Sequence, residues 1–274
     1  MTKPESIEEI EKVDRFIRVA ESEINGLGIY PRIPWMFPFD IVGLATVSKV
    51  FALSKACLKL VGSDLPDEAH GLSRSIVECA NNLRFMTAEW DPRSKRVRNY
   101  VKHHLVDKAF WAHYALEQFA GRPEEQEIRD YMQEQGITPD TRPAFRHWSG
   151  TNRGFIRETM TIDHPLDGVV TEKHKKIAYA ADYFQTSTFV HCSLPAIDNY
   201  FLEEATPFKV SASASLHETS QSTLFIVFLY LHSTIAYALF GMNMDRPPKL
   251  DQAFQKTLNT LKPIPRRYGR HKHL

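Results

Sequence analysis

A chain of 274 residues has the length for one large domain or two small ones, and 43% hydrophobic with 24% charged residues is an ordinary globular composition. The 34 Lys and Arg against 33 Asp and Glu give a formal net charge of +1, which excludes a chain built chiefly to grip phosphates with its whole surface but leaves room for a local basic patch. The cysteines, Cys57, Cys79 and Cys192, are odd in number and dispersed over segments that read as helix, which argues against a disulfide framework and for a reducing, cytoplasmic compartment.

The N-terminal stretch MTKPESIEEIEKVDRF is acidic and helix-patterned, with no basic region leading into an apolar core, so it reads as something other than a signal peptide. The pattern predicts a charged amphipathic helix over 5–25, stopped at Gly26. An arm follows with Tyr30, Trp35, Phe37 and Phe39 among Pro31, Pro34 and Pro38. So many aromatics suit an ordered segment packed on the body better than a mobile linker. A mostly apolar helix is predicted over about 40–61. Ser63 or Asp64 can cap the next helix and Pro66 suits its first turn. That helix runs to about Trp90, and Asp91-Pro92 opens another over 92–120. A short helix begins after GRPEE and is broken by GITPDTRPAF; a strong one spans about 171–192. Ser215 and Glu218 form a capping-box pattern before an apolar helix, which DRPP at 245–248 stops. A last helix reaches about Leu261, and KPIPRRYGRHKHL is a basic tail. Strand signals are scarce. The expectation is an all-α chain, a single multi-helix domain of about nine helices built around a bundle.

From Thr223 to Phe240 the only ionisable side chains are His232, Tyr230 and Tyr237. That length is at the lower edge of a membrane span. His232, Ser233 and Thr234 lie near its middle, where a bilayer is least tolerant, and no Lys or Arg cluster flanks it. A central helix packed on all sides is the favoured reading, and membrane insertion is not favoured.

The stretch SKRVRNYVKHHLVDKAFW, 94–111, holds Arg98-Asn99, then three residues, then His103. Arg–His pairs at such spacing recur around 96–104 and in the tail, so spacing alone carries little. At 100° per residue Arg98 and His103 are about 140° apart, whereas Arg96 and His103 are about 20° apart, two turns along. Tyr100 and Asp107 share that side. One reading makes His103 a general acid/base on an RNA phosphodiester, with Arg96 or Arg98 binding the phosphate and Asp107 holding the imidazole. RNA would then be the partner, and a second copy of the chain would help form a basic cleft around His103. The other reading is a solvated face with an ordinary i, i+4 pair.

Three further motifs occur in order: LSRSIVECANNLRFM at 72–86, HWSGTNRGFIRE at 147–158 and YFQTSTFVHCSLPAIDNYF at 183–201. Together they resemble a bacterial family of all-helical proteins of unknown function, with an Arg-x-x-x-Glu helix (Arg74, Glu78), a Trp-Ser-Gly turn (Trp148, Ser149, Gly150) and a Ser/His/Ser helix (Ser187, His191, Ser193). The resemblance covers about 40–205 and implies no activity. Similarity to the HEPN helical ribonucleases is looser and rests on Arg98 and His103. The expected single domain of 1–274 then has the parts 1–39 (helix and arm), 40–205 (family-like core), 206–262 (apolar and final helices) and 263–274 (tail).

Arg74 and Glu78 are one turn apart with Asn81 beside them, opposite Leu72, Ile76, Cys79 and Leu83. They form either a solvated salt bridge or a polar wall inside the bundle, where Glu78 would aim Arg74 at an anion or at another helix. Ser187 and His191 share a face with Ile177, Ala180, Ala181 and Phe184, which suits a buried structural histidine or a site residue approached by His147, Trp148 and Ser149. No Gly-rich phosphate loop, G-x-G-x-x-G, H-E-x-x-H or paired C-x-x-C occurs, and Ser149 is not in a G-x-S-x-G elbow. No cofactor or metal is therefore expected. The function expected first is a binding or interaction module; the alternative is a HEPN-like ribonuclease of a defence or toxin system.

Overall fold

The computed structural model describes residues 3–29, 38–88, 95–138, 164–166 and 217–261. Among the described residues there are seven helices and no strand: α1 (Lys3–Gly26), α2 (Pro38–Gly62), α3 (Pro66–Thr87), α4 (Lys95–Gln118), α5 (Glu124–Glu134), α6 (His217–Gly241) and α7 (Pro248–Thr260).

In α1, Val13, Phe16, Ile17 and Ala20 recur at helical spacing and are all buried. Lys12, beside this face, pairs with exposed Glu8 and buried Glu9, and on the outer side Arg18 pairs with Asp14. The junction of α2 and α3 departs from the capping expectation. Neither Ser63 nor Asp64 caps α3; the boundary residue is Leu65, with Pro66 in the first turn and no side-chain cap. Asp64 instead takes the left-handed conformation, φ 61°, that closes α2, with the Leu65 amide donating back to the Leu60 carbonyl at 2.9 Å. The junction is too short for both a left-handed stop and a separate N-cap. The same closure ends α5 at Gly136 and α6 at Asn243.

Contacts fix the directions of the helices. His70 meets Thr223 at one end of the α3–α6 pair, and Thr87 crowds Gly241 at the other, so α3 and α6 run parallel. Gly43 lies beside Ala238, and the Cys57 thiol donates to the Ala69 carbonyl at 3.5 Å, so α2 runs against both. Lys55 binds Glu21 at 2.8 Å while Gly62 lies beside Ile10, so α1 opposes α2. α7 opposes α1, with Lys12 reaching the Thr260 carbonyl and Lys249 facing Glu23.

α6 is the centre of this packing. Leu224, Val227, Phe228, Leu231, Ile235 and Leu239 are fully buried, and contacts run to α1, α2 and α3. A helix enclosed by others reads as apolar all round. Each such side chain contributes about 1.5–3 kcal/mol on burial. Its polar residues are satisfied locally: Ser233 donates to the Leu229 carbonyl and Thr234 to that of Tyr230. Two helices, Phe39–Gly62 and Thr219–Gly241, are long and apolar enough to cross a membrane by length and composition, and two thirds of the second is buried inside the protein. The second half of α4 packs on α5 through a small separate core of Ala112, Met132 and Ile137.

Candidate functional site

α3 is buried on two sides. At 100° per residue, Asp67, His70, Arg74, Glu78 and Asn81 fall within an arc of about 80°. Opposite them Ile76, Cys79 and Leu83 enter the hydrophobic core. A polar arc on a surface helix normally faces water. Here Asp67, His70 and Asn81 are 3%, 1% and 3% exposed, and Ser73 and Arg84 beside them are buried. The Arg74 and Glu78 side chains are 20% and 38% exposed, at the open edge of the arc. The solvated salt bridge and the polar wall anticipated for this pair are therefore combined: an ion pair at the lip of a buried polar face.

The pair is a fork on one oxygen. Arg74 donates from Nε at 3.1 Å and from Nη2 at 3.0 Å to Glu78 Oε1. This geometry fixes the guanidinium plane. Asn81 donates to the Val77 carbonyl and Ser73 to that of His70. On the opposite face, Lys49 of α2 acts on Cys79, and Cys79 acts on Tyr100 of α4. Burial pushes the Cys79 thiol up, against the pull of Lys49, and burial likewise pushes up the Tyr100 phenol. Both groups stay neutral at physiological pH.

The protonation of His70 follows from its neighbours. Thr223 spends its hydroxyl hydrogen on the Thr219 carbonyl, 2.7 Å away. The 3.0 Å contact between His70 Nδ1 and Thr223 Oγ1 must then carry the histidine's hydrogen. Nε2 is the unprotonated, accepting nitrogen. Burial pushes the pKa down to about 4, so the ring stays neutral in the physiological range.

His164 is locked in the other tautomer. Thr87 donates its hydroxyl hydrogen to the Leu83 carbonyl, so His164 Nε2–H donates to Thr87 Oγ1 at 3.0 Å. Nδ1 accepts the Leu166 amide at 3.1 Å. Edge-on packing against Tyr237 and Phe240 completes a clasp across the C-terminal ends of α3 and α6.

Of the residues singled out in sequence, Arg74 and Glu78 are brought together. Arg96 donates Nη1–H to the Phe85 carbonyl at 2.9 Å and lies over the Phe85 ring, 4.2 Å from its centroid, which ties α4 to α3. Arg98 is exposed. The side chains of His103 and Asp107, and all of His147, Trp148, Ser149, Ser187 and His191, lie outside the described residues. Sequence reasoning missed Asp67, His70, Thr223 and His164. Asp67 and His70 could have been found by extending the Arg74 arc back by seven and four residues; Thr223, 153 residues from His70, leaves no local signal. Among the described residues no group of three His, Cys, Asp or Glu could hold a metal ion.

No curated protein and no solved structure matches the chain. Residues 40–207, which include the whole polar arc of α3, match the family of unknown function DUF5677, and with more than half of its length matched the chain belongs to that family.

Proposed function

We propose that the chain is a cytoplasmic binding protein, one domain of about nine helices around a bundle, whose binding centre is the polar face of α3. The observation that carries this is the burial of Asp67, His70 and Asn81 beside the Arg74–Glu78 fork. A buried polar group costs about 1–3 kcal/mol when poorly matched, and apolar residues would fill the space more cheaply. A helix that keeps five polar positions on one inward arc spends stability on recognition. Glu78 presents Arg74 with its plane fixed where the pair is partly open. That combination suits an anionic group, a carboxylate or a phosphate, on a small molecule or a partner helix. Arg96 is engaged by Phe85, so the RNA reading would rest on exposed Arg98 with His103.

The test is thermal unfolding of the full chain against inorganic phosphate, mononucleotides and dicarboxylates, beside the Arg74→Gln variant. The expected result is a concentration-dependent rise in Tm with at least one anion class, lost in Arg74→Gln. RNA cleavage by the wild type that disappears in His103→Ala would replace this reading with the nuclease.

A further inference from the structure

α7 is seated by Leu250, which enters the core, by Phe254 stacked at its edge, and by a few polar ties. Only Leu250 and Thr257 of its 13 residues are buried. Phe254 stacks on His232 of α6, with centroids 3.8 Å apart and 17° between planes, and on Phe228, at 4.8 Å and 12°. Phe16 of α1 closes the seat edge-on, 6.2 Å from Phe254. His232 Nε2 stands 3.3 Å from Asp251 Oδ1, and Arg246 reaches the other Asp251 oxygen at 3.6 Å. The remaining polar ties are at the two ends, Lys12 to the Thr260 carbonyl and Lys249 to Glu23. The Asn243 turn and Pro247-Pro248 break the chain between α6 and α7, so α7 can leave without unwinding α6.

His232 is the ionisable group within this seat. Its ring is 12% exposed, pressed between the Phe254 face and α6. The charged groups acting on it are Asp251 from α7 and Arg246 from the connection; α1 presents the Phe16 ring. The α1 charges nearest α7, Lys12 with Glu9 and Glu23, are engaged at the helix ends. Burial lowers the His232 pKa below its ordinary 6.5, Asp251 raises it in part, and Arg246 lowers it again. A histidine depressed in the seated form takes up a proton when α7 leaves. The seat is therefore at full strength above pH 6.5 and weakens as pH falls below it.

We propose that α7 is an acid-released strap: protonation of His232 unseats Phe254 and uncovers the aromatic groove between α1 and α6. Each pKa unit separating seated from free His232 multiplies the opening equilibrium by about ten once pH falls below both values.

Hydrogen exchange of the full chain at pH 7.5 and 5.0, corrected for intrinsic exchange, tests this. The expected result is a loss of α7 protection on acidification that exceeds the loss in α3, where His70 lowers the global stability, with that excess absent in His232→Phe. Should that variant fold poorly, Asp251→Asn serves, because it removes an exposed carboxylate that holds the seated pKa up and so enlarges the total loss. Protection of α7 that does not change with pH, that falls no more than that of α3, or whose excess loss persists in His232→Phe or grows no larger in Asp251→Asn, overturns the proposal.

Discussion

Gly241 ends α6 where three helices converge, and adding one methyl group there tests the packing account. A Cβ at this position would stand 2.2 and 2.4 Å from Phe39 Cε1 and Cζ and 2.7 Å from Thr87 Cγ2. Neither neighbour can give way cheaply. Phe39 is 1% exposed and already close to Gly43, and Thr87 holds His164 through its hydroxyl. Overpacking of this kind costs about 1–3 kcal/mol. The helix propensity gained over glycine is at most about 1 kcal/mol and is diluted at a helix end. We expect Gly241→Ala to lose about 2 kcal/mol, or about 4–8 °C in Tm for a chain of this class. Thermal melts should show Gly26→Ala, with no atom within 4 Å of its added Cβ, unchanged or slightly raised. Phe39→Leu opens space beside Gly241, so the double variant should lose less than the sum of the singles, with a coupling of about 1 kcal/mol or more. A Gly241→Ala protein that melts with the wild type, or shows no coupling to Phe39→Leu, refutes the packing described at this junction.

Three other outcomes follow from the same geometry. His70, held neutral with its pKa at about 4 against an ordinary 6.5, makes the fold lose stability as pH falls through that window, by about 3 kcal/mol in all; urea titrations from pH 7.5 to 3.5 should show the slope, and His70→Gln should flatten it. Thr223→Val removes the oxygen that accepts the His70 Nδ1–H inside the core, and should cost about 1–3 kcal/mol by denaturant unfolding, whereas Thr260→Val at the exposed end of α7 should cost little. Asp64→Gly should raise stability by about 0.5–1 kcal/mol because the left-handed position at φ 61° favours glycine, and Asp64→Val should lower it; equal melting points for the three would argue against that turn.

Helices were legible wherever proline and glycine punctuate the pattern: Gly26, Gly62 and Pro66 sit at observed boundaries. The apolar stripe Ile76, Cys79, Leu83 was legible for the same reason, since periodicity reports which residues share a face. Periodicity does not report what lies against the other face. Arg74 and Glu78 look alike whether water or protein covers them, and so the burial of Asp67, His70 and Asn81 escaped notice. The parallel pairing of α3 with α6 joins segments more than a hundred residues apart and leaves no local trace. Asp64 misled because aspartate suits both an N-cap and a left-handed stop, and the length of the junction decided between them. The apolar run of α6 passes the length-and-composition test for a membrane span, as α2 does, because a helix enclosed by three others and a helix enclosed by lipid select the same side chains.

The claim that the polar face of α3 serves recognition separates most directly from a structural role in the paired variant Arg74→Met with Glu78→Leu. Replacing an ion pair by apolar residues of similar size is commonly neutral or stabilising when the pair is not needed for the fold. Thermal unfolding of this variant, alone and with the anions that stabilise the wild type, should give an unchanged or raised Tm and no response to the anion. A variant that responds like the wild type places recognition elsewhere on the chain, and one that melts many degrees lower makes the Arg74–Glu78 fork part of the scaffold.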